Sequence, residues 1–308
     1  MKLAPGFLTR RIALLSLAGL ASVAVAQTSA DFTPQHGQSG KDVVWIPTPD
    51  TLVQRMLQMA EVKPTDRVFD LGSGDGKIAI AAARDFGARA TGLEYNPDMV
   101  ALSQRHAKEA GVADKVEFRQ ADIFQSDFSS ANVITLYLLP DLNLKLRPIL
   151  LTMAPGTRVV SHAFTMGDWQ PDETARIGGS SAYLWRIPAN ASGEWKLSGS
   201  GLANATLSLS QRYQVLSGNA IFEDLEASVV HPRISGDRIS FALRTPQGEV
   251  LQLDGRVADN RITGNVTRPG RSGSAPFEAT RNGAPSPIAG RIGAAERHAG
   301  AETARVIR

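Results

Sequence analysis

Through the first half of the chain, short apolar runs alternate with stretches whose apolar residues recur every three or four positions. The runs at 67–71, 90–94, 116–120, 133–137 and 158–162 predict strands. Helices are predicted over 77–86, stopped by Gly87, and over 97–110, capped by Asn96 and stopped by Gly111, with a third over 142–153. Pro148 is expected to kink or split that third helix. Upstream, Thr48 and Pro49 read as the N-cap and first position of a helix carrying Leu52, Val53, Met56, Leu57 and Ala60. Strands separated by helices of this length imply right-handed βαβ units. The expected class is α/β, a Rossmann-like, doubly wound, mostly parallel sheet over 42–177.

Near 178–182 the texture changes. Alternating runs at 183–187, 194–197, 205–215, 238–243, 250–253 and 261–266 have almost no helical period. Turn signals separate them, among them Ser217-Gly218-Asn219, Ser235-Gly236-Asp237 and Asp254-Gly255. This predicts a small antiparallel β domain over 182–281, either a barrel or a sandwich. The polar stretch 27–41 reads as a flexible lead, and the Ala/Gly/Pro/Arg-rich stretch 282–308 as a disordered tail. Trp185, Trp195 and Tyr213 read as core residues of the β domain.

The first 26 residues change how charge is read. Lys2, Arg10 and Arg11 precede a short apolar run, and Ala24-Val25-Ala26 offers a cleavage site, so 1–26 reads as a signal peptide. The run is short for a membrane span, although an uncleaved anchor stays open. Arg10-Arg11 also suits a twin-arginine route, the other reading being a general secretory signal. The expected location is therefore exported: periplasmic, or membrane-anchored and facing the periplasm. Those three cations account for the formal net charge of +3, leaving 30 basic and 30 acidic residues in the mature chain. From Arg271 to Arg308 six arginines face three glutamates, so the body before the tail is slightly acidic, which argues against a nucleic-acid partner. With no cysteine, thiolate metal sites and cysteine nucleophiles are excluded. His36, His106, His162, His231 and His298 show no metal-ligand spacing, so no metal is expected.

Candidate chemistry concentrates in Asp70-Leu71-Gly72-Ser73-Gly74-Asp75-Gly76, between the first strand and the first helix of the alternating region. Glycines there allow a tight turn and close backbone approach to a ligand. The G-x-G-x-G spacing differs from the dinucleotide G-x-G-x-x-G, and an acid introduces it. An acidic loop suits a cationic ligand better than a pyrophosphate. Glu94 ends the next strand, where a carboxylate can accept from both ribose hydroxyls. Asp122 follows the third, where it could accept from an adenine amino group with Ile123 or Phe124 against the base. Each acid alone could be a capping or solvated loop carboxylate. Three at successive strand ends share the carboxyl edge where open α/β sheets bind ligands.

Residues 42–173 resemble class I S-adenosylmethionine-dependent methyltransferases. More narrowly, Ile46-Pro47-Thr48-Pro49, the loop from Phe69 to Gly76, Leu136-Tyr137-Leu138-Leu139-Pro140, Ser161-His162 and Met166-Gly167-Asp168-Trp169 resemble bacterial relatives of the mitochondrial lysine methyltransferases that modify the ATP synthase c-subunit and the adenine nucleotide translocase. The resemblance implies S-adenosylmethionine as cofactor. It would be held by Asp70, Gly72, Ser73, Gly74, Gly76 and Glu94, with Asp122 and Ile123 near the adenine. Trp45 and Pro47 would form a lid over it, the other reading of Trp45 being a core residue. Tyr137 would face the acceptor and orient a nucleophile, the other reading being a buried strand-end tyrosine; Asp141 and Asn143 are weaker candidates. The implied activity is N-methylation of a protein lysine by in-line transfer, the partner being a membrane or envelope protein. A small-molecule acceptor, an exported S-adenosylmethionine-binding protein without turnover, and a nicotinamide-dependent oxidoreductase are the alternatives.

Overall fold

The computed structural model describes residues 32–39, 44–199, 202, 205–222, 224–270, 272–286 and 288. The signal segment and most of the expected tail lie outside the described residues. Strands β1 (Gln38–Ser39) and β2 (Val44–Trp45) pair antiparallel, so part of the expected lead is a hairpin arm that carries Trp45.

Helix α1 (Asp50–Met59) opens an α/β body of strands β3 (Arg67–Leu71), β4 (Arg89–Glu94), β5 (Val116–Gln120), β6 (Val133–Leu136) and β7 (Arg158–His162). The helices between them are α2 (Lys77–Phe86), α3 (Pro97–Glu109) and α4 (Pro140–Leu150). Strands β8 (Glu173–Ile177) and β9 (Ser180–Arg186) complete a seven-stranded sheet ordered β5-β4-β3-β6-β7-β9-β8. The first five strands are parallel; β9 runs antiparallel to β7, and β8 to β9.

Strand alternation divides the core between the two faces of this sheet. Val68, Val133 and Val160 join α1, α2 and α3 on one face. Their neighbours Phe69, Ile134 and Val159 join α4, Trp169 and Trp185 on the other. Helix α4 starts at Pro140 and runs through Pro148 without splitting, because the proline falls in its last turn, where little helix remains to break.

Two expectations are corrected here. The run 183–187 and Trp185 belong to the α/β sheet rather than the β domain, because β8 and β9 form a hairpin covering the open edge of β7. The boundary between the two parts therefore falls after Ile187, not at 177–182. Thr48 is not the cap of α1, since Pro49 takes that position without a side-chain bond. The Thr48 hydroxyl is instead buried and shares a 3.0 Å hydrogen bond with His162 Nδ1.

The second part is a closed barrel of eight antiparallel strands, which decides against a sandwich. Strands β10 (Gly193–Ser198), β11 (Thr206–Arg212), β12 (Val215–Phe222) and β13 (Leu225–Ser235) lead into β14 (Arg238–Arg244), β15 (Val250–Ala258), β16 (Arg261–Thr267) and β17 (Ser274–Asn282). Each pairs with the next, and β17 closes on β10. Ser217-Gly218-Asn219 lies inside β12 rather than in a turn; the turn comes earlier, at Tyr213-Gln214. Leu207, Leu209, Phe241, Leu253 and Phe277 fill the interior around Trp195.

At one end of the barrel the Arg281 guanidinium lies 4.1 Å over the Trp195 ring. It donates to the carbonyls of Ser192, Asn190 (2.5 Å) and Asp259 (3.1 Å). Burial pulls its pKa below the ordinary guanidinium value. Beyond β17, Ser286 O accepts from Asn190 Nδ2 and Ser192 Oγ, and Ile288 O from Tyr213 N. The beginning of the expected tail is thus tied to the fold.

Candidate active site

A cavity of about 210 Å³ opens at the carboxyl ends of β3, β4, β5 and β6. Chain connections leave β3 and β6 in opposite directions there, which splays the loops and opens a crevice. Asp70, Gly72, Ser73, Gly74, Glu94, Asp122, Ile123 and Tyr137 all line it. Gly76 does not. It caps α2 with φ 83, and a Cβ there would stand 2.5 Å from Phe118 Cζ and 2.8 Å from Ser103 Cβ. Its glycine serves the packing of α2 against α3 and β5, not the ligand.

Asp70 is buried and accepts from Thr135 Oγ1 at 2.7 Å. Burial raises its pKa from 3.8 to about 7, with the charges of Asp75 and Glu94 adding to the rise and the Thr135 bond opposing it. Glu94 binds the loop to the end of β4: Oε2 accepts from Gly74 N and Oε1 from Asn96 N, each at 2.9 Å. Each carboxylate oxygen keeps lone-pair capacity beyond its amide partner. Asp122 Oδ1 accepts from Phe124 N at 2.9 Å, closing an Asx turn that sets Ile123 and Phe124 in the wall.

Trp45 covers the loop. A Cβ built on Gly74 would stand 3.0 Å from Trp45 Nε1. Sequence reasoning missed Asp75, Tyr95, Met99 and Phe164, which also line the cavity. Tyr95 and Phe164 could have been found, since they follow Glu94 and His162 by one and two residues at strand ends.

On the acceptor side, Tyr137 is half-buried at the end of β6. Its ring centroid lies 3.8 Å from that of His162 and 6.3 Å from that of Phe164. Burial raises the Tyr137 pKa and lowers that of His162 to about 4. Both are therefore neutral near pH 7 and neither presents a charge to the cavity. Asn143 is fully buried and lies outside the lining; its Nδ2 donates to Phe164 O and Thr165 O at 3.3 Å. Asp141 also lies outside the lining.

The residues present fit S-adenosylmethionine. A desolvated Asp70 carboxyl calls for a cation. The buried Ser73 hydroxyl oxygen has no hydrogen-bond partner among the described residues. A glycine at position 74 leaves room beneath Trp45. Among the described residues no three His, Asp or Glu side chains cluster to hold a metal, and no helix is long and apolar enough to cross a membrane. A mostly parallel sheet of this order, with an acidic glycine loop and acids at the next two strand ends, defines a class I S-adenosylmethionine-dependent methyltransferase.

A family model described as the ANTKMT methyltransferase domain matches residues 70–173. A protein-lysine N-methyltransferase of Saccharolobus islandicus (strain REY15A) is 39% identical over 137 residues, covering 44% of this chain and 85% of the relative. An adenine nucleotide translocase lysine N-methyltransferase of Mus musculus is 32% identical over 142 residues, covering 46% of this chain and 61% of the relative. An ATP synthase c-subunit lysine N-methyltransferase of Xenopus laevis is 31% identical over 146 residues, covering 47% and 64%. The chain thus spans less than two thirds of the two vertebrate relatives. A solved structure described as an RNA methyltransferase from Salinibacter ruber in complex with S-adenosyl-L-homocysteine is 57% identical, covering 46% of this chain and 94% of that one at a TM-score of 0.46. The chain belongs to the ANTKMT methyltransferase family. The matches to the relatives span under half of it.

Proposed function

We propose that this protein methylates the ε-amine of lysine in a protein of the cell envelope, acting after export. The observation that carries the reading is the character of the acceptor side. Tyr137 lines the cavity, and Ile46, Tyr95 and Leu139, all exposed, also contribute to its lining. A lysine stem would bury against such a rim, and desolvation there would lower the pKa of its ammonium and favour the neutral nucleophile.

When bound, S-adenosylmethionine supplies a methyl on a sulfonium: the carbon–sulfur bond breaks as the nitrogen–carbon bond forms. The protein's own residues supply position and shelter. Asp70 would face the cationic amino-acid end, Glu94 the ribose and Asp122 the adenine, while Trp45 would exclude water from the loop. The neutral phenol of Tyr137 holds the amine by a hydrogen bond without charging it. Alignment of this kind supplies most of what such a displacement needs. The amine leaves its proton in solvent before transfer, and the second N–H proton follows once the bond has formed.

Location after export rests on the signal-like segment 1–26, and the Arg10-Arg11 pair suits a route that carries folded protein, a general secretory signal being the other reading. The test is incubation of the full chain with methyl-labelled S-adenosylmethionine and, separately, envelope membranes, soluble cell protein and total RNA. Label recovered as ε-N-methyllysine from envelope protein is expected. Label confined to RNA or small molecules, or tight cofactor binding with no transfer at all, would overturn the lysine reading.

A further inference from the structure

The barrel's β11–β12 turn, residues 212–214, reaches into the methyltransferase part, while its β13–β14 turn only lies alongside, with Gly236 against the Gly156 backbone. Tyr213 there is buried, and its ring packs with the sheet core rather than the barrel core. It stacks on Trp169 with centroids 5.6 Å apart and planes at 17°. Its backbone sits at φ 54, a conformation a non-glycine side chain adopts only when its surroundings hold it.

The turn grips one segment, the stretch 163–170 that follows β7. Tyr213 OH donates to Asp168 Oδ1 at 2.9 Å, and Arg212 pairs with Asp168 Oδ2. Trp169 Nε1 donates to Gln214 Oε1 at 2.8 Å, and Gln214 Nε2 to Gln170 O at 2.6 Å. From the opposite side, Arg147 of α4 donates to Asp168 Oδ1 at 2.6 Å and to Met166 O at 2.9 Å. Asn143 holds the inner end of the same stretch at Phe164 and Thr165. Phe164 lines the cavity beside Tyr137. A continuous chain of bonded groups therefore runs from the barrel turn to the acceptor wall. Asp70, Glu94 and Asp122 sit elsewhere on the sheet edge, on β3, on β4 and after β5.

We propose that Tyr213 is a positioning residue for the methyl acceptor: the barrel turn fixes the 163–170 segment and, through it, the Phe164 wall of the cavity. This rests on the methyltransferase reading, with Tyr137 and Phe164 on the acceptor side. The barrel then sets acceptor geometry and leaves cofactor binding to the sheet.

Tyr213→Phe and Gln214→Ala, each in the full chain, separate this from a merely structural role. Three quantities are compared with the parent: amide hydrogen exchange of 163–170, the Kd for S-adenosyl-L-homocysteine, and the apparent KM for envelope-membrane protein with labelled S-adenosylmethionine. Losing a buried bond to a charged or aromatic partner should speed exchange of the segment about tenfold and raise the acceptor KM by a similar factor. The Kd for S-adenosyl-L-homocysteine should stay within about twofold. A merely structural role would lower Tm and the active fraction, depressing kcat without this KM-specific effect. Unchanged exchange and KM in both variants, or a homocysteine-analogue Kd rising in step with the acceptor KM, would overturn the proposal. If the parent protein itself transfers no methyl, the lysine reading fails, while exchange and Kd still decide the positioning claim.

Discussion

The rings of Tyr137 and His162 lie 3.8 Å apart, centroid to centroid, tilted by 33°. An imidazole beneath an acceptor-side phenol suggests a proton relay, but its burial argues otherwise. His162 stays neutral down to a pH of about 4, and its Nδ1 is engaged by Thr48. It supports the Tyr137 ring rather than exchanging protons with it.

Stability should record that neutrality. Below about pH 6.5 the unfolded chain protonates this histidine, whereas the folded protein resists until about 4. The native state binds fewer protons across that window. Its contribution is therefore complete above pH 6.5 and is lost as pH falls towards 4. Urea unfolding of His162→Gln between pH 7 and 4 should show a flatter decline than the parent; an identical decline would mean that His162 is not held neutral.

Tyr137→Phe keeps the ring stack and removes one hydroxyl. Methyl transfer to envelope protein should fall about tenfold, the value of one hydrogen bond in a desolvated site. Affinity for S-adenosyl-L-homocysteine, read by calorimetry, should not move. An unchanged transfer rate would reduce Tyr137 to packing.

Asp70 couples stability to binding with the opposite sign. Its folded pKa of about 7 lies above the unfolded value of 3.8, so its contribution is complete below pH 3.8 and is lost as pH rises through 7. At pH 8 the buried carboxylate should cost the ligand-free protein about 4 kcal/mol. Asp70→Asn should recover much of that in urea unfolding while abolishing binding of S-adenosyl-L-homocysteine. In the parent, that ligand's ammonium should displace the Asp70 proton, so affinity should rise from pH 6 to 8, with proton release visible in buffers of differing ionisation enthalpy.

Gly74 and Gly111 both have positive φ, at 54° and 68°, but differ in their surroundings. Nothing lies within 4 Å of a Cβ on Gly111, so Gly111→Ala should cost only the backbone term, about 1–2 kcal/mol in thermal unfolding. On Gly74 the same methyl would meet Trp45, so Gly74→Ala should also weaken S-adenosyl-L-homocysteine binding at least about tenfold by titration. Equal affinities in the two variants would show that Trp45 moves freely away.

Arg281→Met removes three bonds to carbonyls at the end of the barrel and leaves the buried Ser192 carbonyl without this donor. The expected loss is about 3 kcal/mol, read from denaturant midpoints. Affinity for S-adenosyl-L-homocysteine should be untouched, since Arg281 lies in the barrel, over Trp195 and against the carbonyls of Ser192, Asn190 and Asp259.

The cofactor half was legible because its signals are local: a loop, a glycine pattern and strand-end acids, each set within a few residues of a strand. What the sequence hid is long-range. Thr48 reads as a helix cap until its hydroxyl is found on a histidine 114 residues away. Strand β8 exposes every second residue at an edge, so its apolar signal is too weak to separate from a loop. The Ser217-Gly218-Asn219 cluster promised a turn, yet the chain turns at Tyr213, whose positive φ is enforced by the neighbouring part of the molecule. Barrel closure is a pairing of β10 with β17, about eighty residues apart, which no local pattern encodes.

The reach of Tyr213 into the sheet core has a consequence for biosynthesis. The sheet strands end at Arg186, before the barrel begins, so the N-terminal part leaves the ribosome first. Its face around Trp169 and Trp185 lacks Tyr213 for some 27 further residues, a few seconds at ~5–20 residues per second. During that interval an aromatic surface stands open to chaperones. Nascent chains halted between residues 187 and 213 should therefore be held by them more strongly than chains halted beyond the barrel.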